Sequence, residues 1–419
     1  MQTSNAQLLY SLYSEQQTSI RDPLWKDIQL SHSMKQILLT PAVQKLGRIK
    51  QLGPTFHLYP GAVHTRLDHS LGVYHVSFLM LASLLKQAMQ TNEQVPFTKE
   101  GMRTFLCASL LHDIGHFPFA HSLKELALQD HEHIAASLIL ENDRLRAAIA
   151  KAQLDPYLVA AVIDDQLSCE QEEILFYRRL LSGTLDPDKL DYLNRDAFFC
   201  GVPYGTQDVS YITDKLTIHQ GNLALEEQAL GSVEHLLFSK YLMYRNVYWH
   251  RTTRSATAMI KKAILTDLGD GMLEPQELYA LDDEQFFLLP EKKTLHAHAL
   301  LEAVRDNQLY RCVYEKPYEA EGVWEKQTND LTNRSETETQ LAERLGIESL
   351  QLVIDIPEPI GFEADLPILG EDGSLSSFSA LDHIFSYDIG MVFTKSLRKF
   401  RIFSPAFLSE TEIKAALEF

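Results

Sequence analysis

The sequence predicts a mainly α-helical protein with a smaller mixed α/β region at its C-terminal end. From about Leu30 to Leu265, apolar residues recur at spacings of three and four, which is the period of an amphipathic helix. Beyond residue 266, short apolar runs rich in β-branched residues, with Gly and Pro between them, indicate strands. We therefore expect a helical core with an N-terminal extension (1–265), a helical extension with a polar loop (266–345), and an α/β appendage (346–419).

Four helices of the core can be placed individually. One covers about residues 65–87, where apolar residues fall on one face. A second begins near Thr98. A third begins in the segment 184–188, where Thr184 or Asp186 can cap its first turn and Pro187 suits the first helical position. A fourth is predicted to run without a break over residues 233–264.

The C-terminal third differs from the helical core in its pattern of apolar and polar residues. Residues 315–340 are polar and poorly periodic, which is typical of an exposed loop or connector. Residues 350–356 and 391–403 contain apolar and β-branched runs and are predicted to form strands.

The charge of the chain restricts its partners. The 419 residues include 38 Lys and Arg against 57 Asp and Glu, for a net charge of -19. Most of the surface therefore repels polyanions, and we expect no extended nucleic-acid surface. A small anionic substrate still fits if cations are concentrated locally.

Other sequence features indicate a cytoplasmic protein without a membrane partner. The longest apolar run, residues 76–85, is much shorter than a membrane span, and the N-terminus has no signal-like apolar segment. The cysteines are widely separated, which favours ordinary thiols over a disulfide framework. They are Cys107, Cys169, Cys200 and Cys312.

The strongest chemical signal is the segment LHDIGH at 111–116, preceded by RLDHS at 66–70 and followed by DPDK at 186–189. Imidazole and carboxylate together suit a divalent metal ion, and adjacent His and Asp near a helix end can reach the same ion. The local density of histidines argues against an isolated surface pair. The predicted ligands are His69, His112, Asp113 and Asp188.

Four separate segments resemble the HD-domain phosphohydrolases, and within them the deoxynucleoside triphosphate triphosphohydrolases. These segments are residues 48–75, 110–121, 182–205 and 241–254, and the resemblance covers roughly residues 40–257. It implies an HD-domain helical core. It also implies one divalent ion (Mn, Mg, Fe, Co, Ni or Zn), held by the same four ligands.

The resemblance further implies which side chains contact a nucleotide. Arg66, Lys189 and Arg245 would contact phosphate, Tyr192 and Asp196 the sugar, and Gln51 and Leu52 the sugar or base. Asp188, Tyr192 and Asp196 recur every four residues, so one helix face can present all three.

A proton donor is also required, because an alkoxide leaving group is costly unless it is protonated. His116, His121 and His131 are the candidates, and the choice among them stays open. Many relatives carry an acidic residue three positions after the histidine that matches His121, where this chain has Lys124. Glu125 follows, but on a helix it would point about 100° away.

The leading hypothesis is hydrolysis of a deoxynucleoside triphosphate to deoxynucleoside and triphosphate. The alternatives are another HD phosphatase or phosphodiesterase acting on nucleotides, and a nucleotide sensor without turnover. The resemblance implies a homo-dimer or homo-tetramer and a nucleotide effector. A basic run near the C-terminus is interpreted either as solvated surface or as a polyphosphate contact between subunits: Lys395, Arg398, Lys399 and Arg401.

Overall fold

The computed structural model describes residues 4–91, 95–361, 366–382, 385, 389–406 and 408–418. Helices dominate these residues, and the strands among them form small sheets. The prediction of a mainly α protein with a mixed α/β C-terminal region is confirmed.

The chain begins with a helix, a β-hairpin and two short helices. These are α1 (Asn5–Ser14), β1 (Gln16–Asp22), β2 (Lys26–Ser31), α2 (His32–Leu38) and α3 (Pro41–Gln44). The hairpin was not predicted from the sequence. Its first strand is polar and alternates half-buried with exposed residues, so it lacks an apolar run.

The helices of the core follow. They are α4 (Arg66–Thr91), α5 (Lys99–Leu111), α6 (His131–Glu141), α7 (Asp143–Lys151), α8 (Pro156–Ile163), α9 (Glu172–Leu181) and α10 (Pro187–Cys200). Three of the predicted helices correspond to α4, α5 and α10. Thr98 caps α5, and Asp186 caps α10 by accepting a hydrogen bond from the backbone N–H of Lys189. Helix α4 packs against both of the others.

Helix α4 is the one helix in the described ranges that is long and apolar enough to cross a membrane. However, 78% of its most apolar 18-residue window is buried inside the protein. Val73, Tyr74 and Val76, for example, are fully buried. This pattern is typical of the central helix of a protein core.

The next elements contradict one prediction. They are α11 (Val209–Lys215), β3 (Leu216–His219), β4 (Asn222–Glu226), α12 (Leu230–Met243) and α13 (Arg251–Gly269). The single unbroken helix predicted over residues 233–264 is wrong, because a π-type turn at Tyr244–Tyr248 ends α12. The side chain of His250 then caps α13 by accepting from the backbone N–H of Thr252 at 3.3 Å. Neither Pro nor Gly marks the break.

The following region also differs from the prediction. Its elements are α14 (Pro275–Tyr279), α15 (Asp283–Phe287), α16 (Leu289–Lys292), α17 (His298–Arg305), β5 (Arg311–Pro317), α18 (Val323–Gln327) and α19 (Leu331–Leu345). The loop predicted over residues 315–340 is wrong, since α18 and much of α19 lie there. These helices bury charged residues: Glu325 pairs with Lys316, and Glu338 with Lys262. A buried face made of charges leaves no apolar period to detect.

The last elements are β6 (Val353–Asp355), β7 (Pro367–Leu369), β8 (Leu375–Ser377), α20 (Phe378–Leu381), α21 (Ile389–Leu397), β9 (Lys399–Ser404) and α22 (Glu410–Leu417). The strand predicted at residues 350–356 is confirmed in β6. In the run 391–403 the prediction is half wrong, because the first part belongs to α21. One sheet has the order β5-β9-β6 and another β3-β4-β7-β8, so C-terminal strands pair with the middle of the chain.

The buried apolar residues form separate clusters, and the histidine-rich segment after α5 links two of them. Leu111 and Ile114 belong to the cluster around α4, whereas Phe117, Phe119 and Leu123 belong to a cluster built mainly on α13 and α17. The backbone between these anchors is therefore fixed at both ends, which holds the intervening histidines over the space between the clusters.

Candidate metal and active site

A cavity of about 660 Å³ lies where these elements meet. Its lining comes from segments as distant in sequence as Lys50 and Gly361. Every side chain predicted from the sequence to take part in the site lines this cavity, except Arg245.

Three of the predicted metal ligands, His69, His112 and Asp188, have donor atoms within 4.8 Å of one another in the cavity, and Asp113 lies beside His112. His69 lies in the first turn of α4, His112 and Asp113 directly follow α5, and Asp188 lies in the first turn of α10. The Nε2 atom of His69 is 2.9 Å from Oδ1 of Asp188. The Nε2 atom of His112 is 3.4 Å from Oδ1 of Asp113 and 4.0 Å from Oδ1 of Asp188.

Both imidazoles are oriented by a hydrogen bond at their other nitrogen. Nδ1 of His69 lies 2.8 Å from Oδ2 of Asp191, and Nδ1 of His112 lies 2.9 Å from the carbonyl oxygen of Ser109. Because carboxylate and carbonyl oxygens only accept, each Nδ1 carries the hydrogen. Such outer partners are typical of metal-ligating histidines, since they turn Nε2 towards the ion.

The residues present fit a divalent ion. Nε2 of His112 is buried and has no hydrogen-bond partner among the described residues, although it faces two carboxylates. Burial lowers the pKa of His69, but Asp188 and Asp191 outweigh burial and raise this pKa to about 10. The carboxylates thus require a positive charge here, which either a proton or a metal ion can supply. Two imidazoles and two carboxylates suit a hard or borderline divalent ion.

Asp191 is the main supporting residue, and this role was not predicted from the sequence. Its fully buried carboxylate accepts hydrogen bonds from His69, from Nε and Nη2 of Arg195 (2.9 and 3.0 Å), and from Nε1 of Trp25 (2.5 Å). Arg195 also donates to Asp22 at 2.9 Å. The hairpin β1–β2 therefore supports the candidate ligand His69 through Asp22 and Trp25.

A sequence signal for this network did exist. Arg195 follows Asp191 by four residues, the spacing of an ion pair on one helix face. Gly72, three residues after His69, leaves the space that the pair occupies. A Cβ atom at Gly72 would lie 1.8 Å from Oδ1 of Asp191.

The three histidines proposed as proton donors form a cluster beside Asp113. The rings of His116 and His131 have centroids 3.9 Å apart, and the His116 and His121 rings 4.8 Å apart. His116 is buried, with Nε2 3.3 Å from Oδ1 of Asp113. Burial, together with the positive charge of Arg66, holds the pKa of His116 well below its usual range. His121, in contrast, is exposed and lines the cavity.

The two predicted phosphate contacts in the cavity are already paired with carboxylates. Arg66 is buried, and its Nη1 donates to Oδ2 of Asp113 at 2.7 Å. Nζ of Lys189 lies 2.5 Å from Oδ2 of Asp186 and donates to the carbonyl oxygen of Gly183 at 2.8 Å. Arg66 therefore holds a candidate ligand, and Lys189 closes the first turn of α10.

The predicted sugar contacts lie on the inner face of α10. Asp196 is buried, with Oδ1 2.8 Å from Nε2 of His64, and its Oδ2 accepts from the hydroxyl of Tyr248 at 2.6 Å. Tyr192 lines the cavity one turn earlier. Neither His64 nor Tyr248 was assigned to the site from the sequence.

Gln51 and Leu52 also line the cavity. Oε1 of Gln51 is buried and has no hydrogen-bond partner within the described ranges. A donor group on a ligand could satisfy it.

Arg245 is the predicted site residue that the structure places elsewhere. Tyr244 and Tyr248 face the cavity, so Arg245, one residue after Tyr244 on the π-type turn, points away. It is exposed, and its Nη1 donates to the hydroxyl of Tyr241 at 3.3 Å. Arg245 therefore lies outside the cavity lining, and its contact with phosphate stays a prediction.

The cavity lining has seven basic and seven acidic side chains, so it is richer in cations than the acidic chain as a whole. Beyond Arg66 and Lys189, further basic side chains line it: Lys50, Lys124, Lys240, Arg254 and Lys261. Several are paired with acids, but together they provide the local cations that an anionic ligand requires at a net charge of -19.

Comparisons with known proteins agree with this arrangement. The family pattern described as HD domain matches residues 66–173, and that described as HD associated region matches residues 207–381. The chain is 32% identical over 246 residues to the uncharacterized protein YwfO of Bacillus subtilis, covering 58% of this chain and 54% of that protein. It is 31% identical over 296 residues to the uncharacterized protein MJ1154 of Methanocaldococcus jannaschii, covering 70% and 58%.

A more distant relative carries a named activity. The deoxynucleoside triphosphate triphosphohydrolase SAMHD1 of Danio rerio is 24% identical over 358 residues, covering 73% of this chain and 57% of that protein. The chain thus spans just over half the length of these curated relatives.

Solved structures share the fold. A phosphohydrolase from Bacteroides thetaiotaomicron matches with a TM-score of 0.72 at 22% identity, covering 92% of this chain and 99% of that one. A hypothetical protein from Aquifex aeolicus matches with a TM-score of 0.72 at 24% identity, covering 96% and 99%. The two family matches follow one another along the chain, and the His112–Asp113 doublet lines the cavity, so the chain contains an HD domain followed by an HD associated region.

Proposed function

We propose that the protein is a metal-dependent phosphohydrolase that converts a deoxynucleoside triphosphate and water to deoxynucleoside and triphosphate. The observation that carries this proposal is the convergence of two imidazoles and two carboxylates in a cavity that also gathers basic side chains. The distant likeness to SAMHD1 supports the choice of substrate.

His69, His112, Asp113 and Asp188 would hold the ion. Lewis acidity towards phosphate and activation of water are the chemistry that a divalent ion supplies at such a ligand set. The protein's own part is to orient these ligands. Asp191 and Ser109 fix the imidazoles, and Arg66 fixes Asp113.

The phosphate chain would lie against the basic side chains of the cavity. Lys189 and Arg66 are each paired with one carboxylate, so a phosphate must share their remaining donor hydrogens. Nε of Arg66 is buried and has no hydrogen-bond partner in the described part of the chain. That donor could serve an oxygen of the substrate.

The sugar would lie beside Tyr192 and Asp196. The carboxylate of Asp196 is held by His64 and Tyr248 and retains lone pairs that can accept a hydrogen bond from a sugar hydroxyl. Gln51 would contact the sugar or base through its unpaired Oε1.

His121 is the proton donor that we favour. It opens onto the cavity, whereas His116 is buried against Asp113, and His131 stacks on His116. His116 would then stay neutral beside Asp113, and His121 would donate the proton to the leaving oxygen.

A homo-oligomer, a nucleotide effector and a cytoplasmic location remain proposals that rest on family likeness and sequence. The basic run near the C-terminus gives little support for an effector site, because two of its arginines already have partners within the protein. Arg398 donates to the carbonyl oxygen of Pro357 at 2.5 Å and stacks on Tyr318, and the buried Arg401 donates to Glu315 at 2.7 Å.

The test is product analysis with defined metals. Purified protein is stripped with a chelator, reloaded with Mn, Mg, Fe, Co, Ni or Zn, and given a panel of nucleotides. Chromatography should show intact triphosphate and deoxynucleoside, and Asp113→Ala should lose bound metal and turnover together. Release of inorganic phosphate alone would indicate another phosphatase, and binding without any product would indicate a sensor.

A further inference from the structure

The loop that carries His121 is tied down by a buried cluster of charges. Glu125, four residues after His121, accepts hydrogen bonds at Oε2 from Nζ of Lys261 at 2.8 Å and from Nη1 of Arg334 at 2.9 Å. The side chains of Lys261 and Arg334 are 9% and 8% exposed, and that of Glu125 is 13% exposed.

The two cations come from distant parts of the chain. Lys261 lies on α13 and Arg334 on α19, and both fall in the HD associated region, whereas Glu125 lies in the HD domain. Arg334 is itself fixed, because its Nε donates to the carbonyl oxygen of Thr328 at 3.0 Å. The cluster therefore links the HD associated region to the turn that bears His121.

The imidazole of His121 has few other constraints. Among the described residues, its ring contacts the rings of His116 and His131, and it makes no side-chain hydrogen bond. Its position thus depends on the backbone of the turn Ala120–Leu123 and on the segment that follows. Glu125 is the charged anchor of that segment.

The cluster also explains how the chain works without an acidic residue at position 124. Lys124 is exposed and lines the cavity, so it cannot hold His121 as a carboxylate would. Glu125 binds Lys261 and Arg334 instead of His121, and it acts on the histidine through the backbone.

We propose that Glu125, clamped by Lys261 and Arg334, is a positioning residue that sets where His121 lies over the cavity. This inference rests on the proposed function, in which His121 passes a proton to the leaving group. It makes the HD associated region part of the catalytic arrangement, although it contributes no reacting group there.

The first test is Glu125→Gln, which keeps the shape of the side chain and removes its charge. We expect kcat to fall about tenfold or more while KM changes by less than about threefold, because a misplaced proton donor slows the chemical step without weakening substrate binding. Metal content should stay at the wild-type level. Amide hydrogen exchange of residues 120–126, measured without substrate, should become faster.

Arg334→Gln is the second variant and should reproduce both effects if Glu125→Gln folds poorly. The double variant should lose no more activity than the worse single variant, because both act through one contact. Arg334→Lys should restore part of kcat, since it keeps the charge. The matched control is Glu315→Gln, which breaks the ion pair with Arg401 away from the cavity and should leave exchange and kcat unchanged.

The outcomes separate the two proposals. The positioning role is overturned if Glu125→Gln and Arg334→Gln fold and keep the wild-type kcat and the wild-type amide exchange of residues 120–126. A loss of bound metal together with a rise in KM would also overturn the positioning role, because these changes would indicate a general structural role for the cluster. A wild-type protein that turns over no nucleotide would instead overturn the proposed function, and the exchange experiment would still report on the clamp.

Discussion

The carboxylate of Asp191 lies 2.8 Å from Nδ1 of His69, on the side of the imidazole opposite Asp188. His69 is thus held between two acids, one of which faces the cavity while the other is fully buried against Arg195. The buried acid decides how the ring is turned, and hence whether its Nε2 can bind an ion.

Asp191→Asn should weaken metal binding by about 10- to 100-fold, the usual effect of losing an outer partner of a ligating histidine. It should also destabilise the fold by about 3 kcal/mol, because the buried Arg195 loses one of its two carboxylate partners, Asp191 and Asp22. Chelator competition and urea unfolding measure the two effects. Asp165→Asn, at an exposed position, is the control, and equal metal affinity in both variants would contradict the role of Asp191.

Gly72→Ala tests the space that this network needs. A Cβ atom there would lie 1.8 Å from Oδ1 of Asp191 and 2.5 Å from Nη2 of Arg195, so the buried ion pair must shift. We expect a loss of about 1–3 kcal/mol in the free energy of unfolding. Gly269→Ala, where nothing lies within 4 Å, should be neutral or stabilising by up to about 1 kcal/mol. Similar unfolding curves for the two variants would show that Asp191 can move without cost.

The candidate metal ligands could be selected from the sequence because their chemistry and their positions coincide. His112 and Asp113 end an apolar helix, and Asp188 follows a clear capping residue and a proline, so their local structure follows from short-range rules. Their convergence with His69 is a long-range result. The residue types and the density of histidines indicated that these segments share one site, and the resemblance to a family implied the same four ligands.

The missed features have physical reasons. The π-type turn at residues 244–248 has no breaker residue, so the apolar period runs through it and the outward direction of Arg245 is hidden. Helix α19 buries Arg334 and Glu338, whose partners lie on other elements. In a sequence, a buried charged residue cannot be distinguished from an exposed one until its partner is known.

The stability contribution of the Arg254–Asp355 pair should depend on pH. Burial raises the pKa of Asp355, but the adjacent Arg254 guanidinium outweighs burial and lowers it below the ordinary value. The pair therefore stabilises the fold fully above the ordinary aspartate pKa of about 3.9, and this contribution is lost as the pH falls further. The difference in unfolding free energy between wild type and Asp355→Asn should shrink below about pH 4. A constant difference between pH 7 and pH 3 would contradict this assignment.

Arg66→Met should show that Asp113 faces an ion as well as an arginine. Both side chains are nearly fully buried, so removing the guanidinium leaves a buried carboxylate without its partner and should cost about 3–5 kcal/mol in unfolding free energy. A bound divalent ion supplies positive charge to the same carboxylate, so the cost should be clearly smaller in excess Mn²⁺ than in excess chelator.

The control for this experiment is Arg48→Met, which removes a half-exposed arginine paired with Asp282. That change should cost less than about 1 kcal/mol under both conditions, since an exposed ion pair contributes little. Urea unfolding of wild type and both variants, with and without the ion, gives the comparison. If Arg66→Met loses the same stability in Mn²⁺ as in chelator, no ion relieves Asp113, and its assignment as a ligand fails.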